Sequence, residues 1–375
     1  MSLKRETVLW SAPPHTIAKI SILQSYLSRW FEIFGRTHPG KSLWYIDGFA
    51  GPGEYTNSPT GSPVAAIASA SAALQNVGAK WWAGDIQCVF IEQDANTFLH
   101  LQNKLNSLDE NPKIQKHLFN SSCEDGLDSL HRQKQNPFSP PAPLFAFIDP
   151  FGVKGIPFRI VKDLLSRDKT EILINFDSDG IGRIFKAEEA ANCESNLNEI
   201  FGDDSWKVAL KKDSAFHELI LQALDLYKRK LRALPGVKYV FAFEMRSTKD
   251  NPDYHLVFAS QHFLGLEKMK EAMKAIDKNG TYSFSDAHIG QESLFKFNDP
   301  ESHGDRLFKQ FNGKTVKYDE VRDYALNESP FGNPKTMLKY LEEKGMIQAK
   351  SRDPKRRKGT FNEDNLEYIM FLQGS

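Results

Sequence analysis

Ser42-Leu43-Trp44-Tyr45-Ile46-Asp47-Gly48-Phe49-Ala50-Gly51-Pro52-Gly53 is the stretch that decides the fold. It begins as an apolar, aromatic run, reaches an acid at Asp47, and continues through glycines at Gly48, Gly51 and Gly53. A helical stretch, Val64 to Gln75, follows. A strand feeding a glycine turn before a helix is the setting in which a glycine loop can hold a ligand. Glycine lets the backbone turn tightly and come close without a Cβ in the way. An acid at the strand end argues against phosphate, which it would repel. It suits an ammonium or a hydroxyl, such as the methionyl part of S-adenosylmethionine carries. The loop alone also fits a plain strand–helix turn, so the rest of the chain has to arbitrate.

Working outward, Gln87-Cys88-Val89-Phe90-Ile91-Glu92 reads as a second buried strand ending in an acid, with a helix from about Ala95 to Leu105. Doubly wound folds place a ribose-binding acid at that position. Glu92 lies roughly twice as far along as the dinucleotide fingerprint expects. The loop Glu54 to Ser62 accounts for the extra length, and the spacing favours an adenosyl ligand over a nicotinamide. A third strand is expected near Ile114 to Asn120, then a helix capped by Ser121 or Ser122. Glu124 and Asp125 either favour that helix start or take the adenine amino group. Upstream, Ile17, Ile20, Leu23, Leu27 and Phe31 mark an amphipathic helix from His15 to about Gly35. His15 and Lys19 are one turn apart on it. They form either a solvated basic face or a surface lying over the cofactor mouth.

The second informative stretch is Leu144-Phe145-Ala146-Phe147-Ile148-Asp149-Pro150-Phe151-Gly152, an apolar strand closed by Asp-Pro-Phe-Gly. In an open α/β sheet it shares the ligand-binding edge with the glycine loop. An exocyclic base amine is a poor nucleophile because its lone pair is delocalised into the ring. A carboxylate from Asp149 and the Pro150 carbonyl, accepting its two N–H bonds, would draw the nitrogen toward tetrahedral geometry and stabilise the developing charge. Phe151 would give the base a stacking platform. Further strands are expected over Glu171–Phe176, Lys238–Met245 and Tyr254–Ser260, with helices over Pro157–Leu165 and Leu264–Ile276. Asp177–Arg183 reads as a polar, glycine-containing loop, and about 184–234 as a helical insertion. Seven strands, the last inserted antiparallel, is the order of a class I methyltransferase sheet, a fold-level analogy.

Asn298 to Asp305, with Pro300 and Gly304, reads as a linker between a domain over 1–300 and a second over 305–375. The second shows short helices beginning at Leu307, Tyr318 and Asn333-Pro334, then strands over Met346–Lys350 and Leu366–Phe371. This is the pattern of a winged helix-turn-helix. The hairpin between those strands carries Lys350, Arg352, Lys355, Arg356, Arg357 and Lys358 against Asp353 alone. Such a basic tip either is merely solvated or contacts nucleic-acid phosphates.

Composition bounds the remaining choices. Across 375 residues, 48 basic and 48 acidic side chains balance, so a nucleic-acid surface must come from local asymmetry. Cys88, Cys123 and Cys193 have no metal or redox spacing and read as reduced thiols of a cytoplasmic protein. No run is long enough to span a bilayer, and the N-terminus lacks a signal-peptide core.

The chain resembles the three-Cys-motif partner proteins (TcmP). The likeness is carried by Asp47 to Gly53, Gly61-Ser62-Pro63, the strand ending in Glu92, Asp149-Pro150-Phe151-Gly152 and the Asn175-Phe176 to Gly182-Arg183 segment, and it extends over most of the chain, including the tail. The resemblance implies a Rossmann-like, S-adenosylmethionine-dependent methyltransferase domain. It also implies a partner, a radical-SAM-like protein with a three-cysteine motif that this chain lacks. Asp149-Pro150-Phe151-Gly152 is similar to the catalytic motif of tRNA guanine-N2 dimethyltransferases. It is also related to the Asp/Asn-Pro-Pro-Tyr motif of adenine-N6 methyltransferases, without the second proline. His15 and Lys19 resemble the N-terminal His…Lys helix of some rRNA adenine-N6 enzymes.

The expectation is a methyltransferase acting on an exocyclic amine of RNA or DNA. Asp47, Gly48, Phe49, Gly51, Gly53, Glu92, Glu124, Asp125, Lys19 and His15 surround the cofactor; Asp149, Pro150 and Phe151 hold the target. Two alternatives stay open: a non-enzymatic nucleic-acid binder on the same scaffold, and a methyltransferase for a small molecule or nucleotide.

Overall fold

The computed structural model describes residues 8–150, 156–186, 190–246, 252–277, 283–285 and 299–373. Phe151 and Gly152 lie outside the described residues. The chain divides into two compact units, Met1–Gly265 with Ser283–Ile289, and Leu266–Tyr282 with Gly290–Ser375. The division falls at Gly265 rather than at the polar stretch near 300.

The first unit is built on an α/β sheet whose strands are β1 Leu43–Asp47, β2 Ile86–Glu92, β3 Ile114–Asn120, β4 Leu144–Ile148, β5 Thr170–Phe176, β6 Tyr239–Arg246, β7 Pro252–Ser260 and β8 Ser283–Ser285. Their order is β3-β2-β1-β4-β5-β7-β6-β8. The first five pair in parallel, and β7 runs antiparallel between β5 and β6. The mostly parallel order with its reversal between β1 and β4 is Rossmann-like. Among the described residues the sheet has eight strands instead of seven, because a three-residue strand pairs with β6. A segment that short carries no readable period.

The helices of this unit are α1 Pro14–Thr37, α2 Ser62–Val77, α3 Ala95–Asn106, α4 Cys123–His131, α5 Phe158–Leu165, α6 Ser178–Lys186, α7 Ala190–Phe201, α8 Trp206–Ala209 and α9 Phe216–Arg232. The central strands are buried along their whole length. That explains their unbroken apolar runs, as strands covered on both faces must be apolar on both. Trp44 and Ile46 join the core that also takes Leu127, Ile160, Phe201 and Tyr227. Tyr45 lies on the opposite face, stacked on Phe145, which in turn meets Tyr26 of α1. By strand alternation Asp47 shares the face of Tyr45.

Two expectations on the helices are corrected. Asp177–Arg183 is not a loop, since α6 begins at Ser178 with the Gly180 N–H donating to Asp177 Oδ1 at 2.8 Å. Gly182 is there for contact: a Cβ would come within 2.9 Å of the Phe216 ring. On α1, Ile17 was expected on the apolar face but is 39% exposed, whereas Lys19 is 5% exposed. A lysine is buried this deeply only with a charged partner, and that partner is found in the site below.

α10, Phe263–Ile276, closes the helix series before the tail. The second unit adds α11 Pro300–Phe311, β9 Thr315–Val316, α12 Tyr318–Glu328, α13 Lys335–Glu343, β10 Ile347–Ser351 and β11 Leu366–Phe371. The strands form an antiparallel sheet, β10-β11-β9. Leu307, Val321, Leu338, Leu341 and Ile369 form its core. The expected linker at 298–305 is largely helix. Asp299 caps α11 by accepting from the Glu301 and Ser302 N–H groups, and Pro300 opens its first turn, where its missing N–H costs nothing. Among the described residues no helix is long and apolar enough to cross a membrane.

Candidate active site

Register brings the site together. Asp47 is level with Phe90 on β2 and with Phe147 on β4. Glu92 and Asp149 therefore each stand two residues further along, at the same carboxyl edge. Glu92 is level with Asn120, so the segment Ser121–Asp125 also opens there. Ile148 is level with Ile174, which sets Asn175 beside Asp149. β7 runs the other way, with Asn175 level with Leu256, so Asp253 and Tyr254 arrive at this edge from its beginning. The strand order runs outward in opposite directions from the neighbours β1 and β4, which makes this the switch point, where open α/β sheets bind ligands.

Asp47 is fully buried. Its carboxylate accepts from the Tyr45 hydroxyl at 3.2 Å and the Phe49 N–H at 3.3 Å, and the Ser62 side chain at the start of α2 lies near enough to favour its charged form. These donors are neutral. Burial therefore pushes its pKa up to about 7, and the nearby Asp149 charge adds to the rise. Gly51 and Gly53 have φ of +61° and +84°, a region that favours glycine. A Cβ at Gly51 would meet nothing within 4 Å, so the loop leaves open space at that turn. Gly48 answers a packing need instead, because a Cβ there would press on Cys123 Sγ at 2.8 Å. The loop is tied down by Gly61 N–H to Gly53 O at 2.7 Å.

Glu92 holds the loop from the other side. Its carboxylate accepts from the Gly51 N–H at 2.9 Å and from the Asp94 N–H at 2.8 Å. Partial burial raises its pKa despite these bonds. Ser122 is the cap of α4, accepting from the Asp125 N–H, and its hydroxyl donates back to the Asp125 carboxylate at 2.6 Å. Glu124 is ion-paired with Arg159 of α5. It lines a cavity of about 230 Å³ between α4 and α5, with Leu127, His131, Phe138 and Ile160.

The largest surprise is Lys19. Its Nζ reaches both oxygens of Asp149, at 2.7 and 2.6 Å, across 130 residues of sequence. Asn175 Nδ2 donates to Asp149 Oδ1 at 2.7 Å. Lys19 thus belongs to the Asp149 cluster, not to a solvated basic face. Its ammonium also lies 5.2 Å from the centre of the Tyr254 ring. His15 meets the edge of the same ring, with Nε2 3.9 Å from Asp253. Sequence reasoning assigned Asn175 no role. The available signal was its place as a lone polar side chain in the otherwise apolar run Ile172 to Phe176.

On the hairpin of the second unit, Arg356 turns inward. It makes a two-pronged pair with Glu342 of α13 at 2.8 and 2.9 Å and covers the Phe361 ring. Lys350 pairs with Glu367 at 3.1 Å. Arg352, Lys355, Arg357 and Lys358 are exposed.

No family model matches the chain, and no curated protein matches it. Solved structures with a similar course include a candidate methyltransferase from Porphyromonas gingivalis W83, 13% identical, over 64% of this chain and 41% of that one, TM-score 0.29. A candidate O-methyltransferase from Klebsiella pneumoniae is 11% identical over 63% and 78% of the two chains, TM-score 0.33. A cyclopropane synthase from Mycobacterium tuberculosis is 11% identical over 70% of each, TM-score 0.26. Less than half of the first neighbour's length is covered, and likeness at these levels carries no functional weight.

Proposed function

We propose that this chain is an S-adenosylmethionine-dependent methyltransferase acting on an exocyclic amine of a nucleic-acid base. The observation that carries the reading is Asp47: a fully buried carboxylate with neutral donors only, beside an open glycine turn at the switch point. Such a group gains most from a ligand that brings its own ammonium. In this reading Asp47 takes the methionyl ammonium, the Gly51–Gly53 backbone borders the ligand, and Glu92 accepts from the ribose. Asp125 is spent on its helix cap. Glu124 is the acid left for the adenine amine, in exchange for its pair with Arg159.

The cofactor would supply a methyl group on a sulfonium. The chain's part is to hold and orient the acceptor. Asp149 takes an N–H of the target, and the Pro150 carbonyl and the Phe151 ring complete the support expected from their order in sequence. The proton leaving the nitrogen passes to Asp149 and on to water. The second unit, read as a winged helix, supplies phosphate contacts through its exposed hairpin. The chain's partner in this reading is a radical-SAM-like protein with a three-cysteine motif.

Isothermal titration with S-adenosylmethionine, S-adenosylhomocysteine, NADH and ATP tests the cofactor. Micromolar binding of the two adenosyl ligands alone is expected, and it should be lost in Gly51→Val, which places a β-branched residue at φ +61° in the open turn. No adenosyl binding, with or without the partner, removes this reading. The hairpin is tested separately by the salt dependence of RNA and DNA binding. Four phosphates met by Arg352, Lys355, Arg357 and Lys358 give a log–log slope of about −3.6, roughly a hundredfold between 50 and 200 mM. Replacing those four with alanine should flatten the slope. A slope unmoved by the replacement takes the hairpin out of the interface.

A further inference from the structure

The Asp149 carboxylate offers about four lone-pair sites, two on each oxygen. Lys19 Nζ takes one on Oδ1 and one on Oδ2, and Asn175 Nδ2 takes the second on Oδ1. Among the described residues one site is left open, on Oδ2. We infer that Lys19 and Asn175 are positioning residues that fix Asp149 as an acceptor with a single opening, reserved for an N–H of the methyl-accepting nitrogen. This rests on the methyltransferase reading above and narrows it: the acceptor is a neutral amine able to donate one hydrogen bond to Oδ2.

Two observations separate this from ordinary packing. Asn175 Oδ1 is buried with no hydrogen-bond partner. An apolar residue would avoid that cost, and Leu173, which shares its face of the strand, is apolar and buried. Lys19 is equally out of place on a helix face that otherwise buries Ile20, Ile22, Leu23, Tyr26 and Leu27. Both polar side chains converge on one carboxylate. A neutral amide at 175 also suits the task better than an acid, because a second carboxylate 2.7 Å from Asp149 would compete for Lys19 and share a proton.

That sharing supplies the test. In Asn175→Asp, the proton held between the two carboxylates restores a donor to Asp149, so at pH 6 the variant should transfer methyl from labelled S-adenosylmethionine to total RNA or denatured DNA within a few-fold of the parent. As pH rises and that proton leaves, kcat should fall about tenfold per unit. The parent profile should lack this limb. Asn175→Ala should lose about a hundredfold in kcat at every pH, as expected for a misplaced catalytic group, with KM for S-adenosylmethionine within about twofold. Thermal melting without substrate reads the coupling independently: Asn175→Asp should lose stability relative to the parent as pH rises.

An Asn175→Asp variant impaired equally at all pH values overturns the inference, as does a melting difference that does not move with pH. Adenosyl ligands that bind normally beside such flat profiles would leave the methyltransferase reading standing while this one falls. Parent protein that binds no adenosyl ligand and transfers no methyl to either nucleic acid overturns both.

Discussion

Asp149→Ala should lose methyl transfer by about a thousandfold or more, and the variant should also be less stable by about 3–5 kcal/mol. The two effects have different origins. The loss of transfer follows from removing the acceptor of the target N–H. The loss of stability follows from Lys19, which is 5% exposed and would lose the carboxylate it is buried against. Breaking one side of a buried pair is costly, whereas replacing both sides with apolar groups is often near neutral. Lys19→Met combined with Asp149→Leu should therefore recover most of that stability, short of the cost of leaving the Asn175 amide without its acceptor, bind S-adenosylmethionine within a few-fold, and transfer nothing. Chemical denaturation, titration calorimetry and labelled methyl transfer on the three proteins check this. An Asp149→Ala protein as stable as the parent would mean the pair with Lys19 is not formed. A double variant that still methylates would remove Asp149 from the reaction.

Asp47→Asn should make the unliganded chain more stable at pH 8 and nearly unable to bind the cofactor. Asp47 has an ordinary pKa of 3.8 and is pushed up to about 7 in the fold, first by burial. The folded state thus holds the proton more tightly than the unfolded chain. The contribution of Asp47 to stability is greatest below pH 4 and declines as pH rises toward 7. Once the group is fully ionised, that decline amounts to ~4 kcal/mol. Asparagine cannot ionise, so the variant escapes it. It gives back about 1 kcal/mol for a weaker set of hydrogen bonds. The ligand reverses the account, because an ammonium stabilises the ionised form. Parent affinity for S-adenosylmethionine should rise by up to about tenfold per pH unit between pH 5 and 7, then level off. The variant should bind at least tenfold more weakly above pH 7, with little dependence on pH. A stability difference between variant and parent that stays constant from pH 5 to 8 would show that Asp47 ionises freely. Retained affinity in the variant would place the ammonium elsewhere.

The strands were legible because a sheet covered on both faces demands unbroken apolar runs, and the acids at Asp47, Glu92 and Asp149 mark where each run stops. The helices at Ser178–Lys186 and Pro300–Phe311 were hidden by residues that usually break helices. Gly182 and Gly304 sit there because aromatic rings press on them: Phe216 on the first, Tyr340 on the second. A glycine demanded by such contact looks the same in sequence as one demanded by a turn.

Sequence by itself determined the alternation of strands and helices, the glycine turn, and the set of carboxylates that end at one sheet edge. Those follow from local periodicity and chain order. The tertiary structure decided the partners of those carboxylates. Lys19 joins Asp149 across 130 residues, Asn175 reaches it from the next strand, and Asp47 receives only neutral donors. It also turned Arg356 from an expected phosphate contact into the tie between hairpin and helix. Charge acts through space and burial, and a linear pattern records neither.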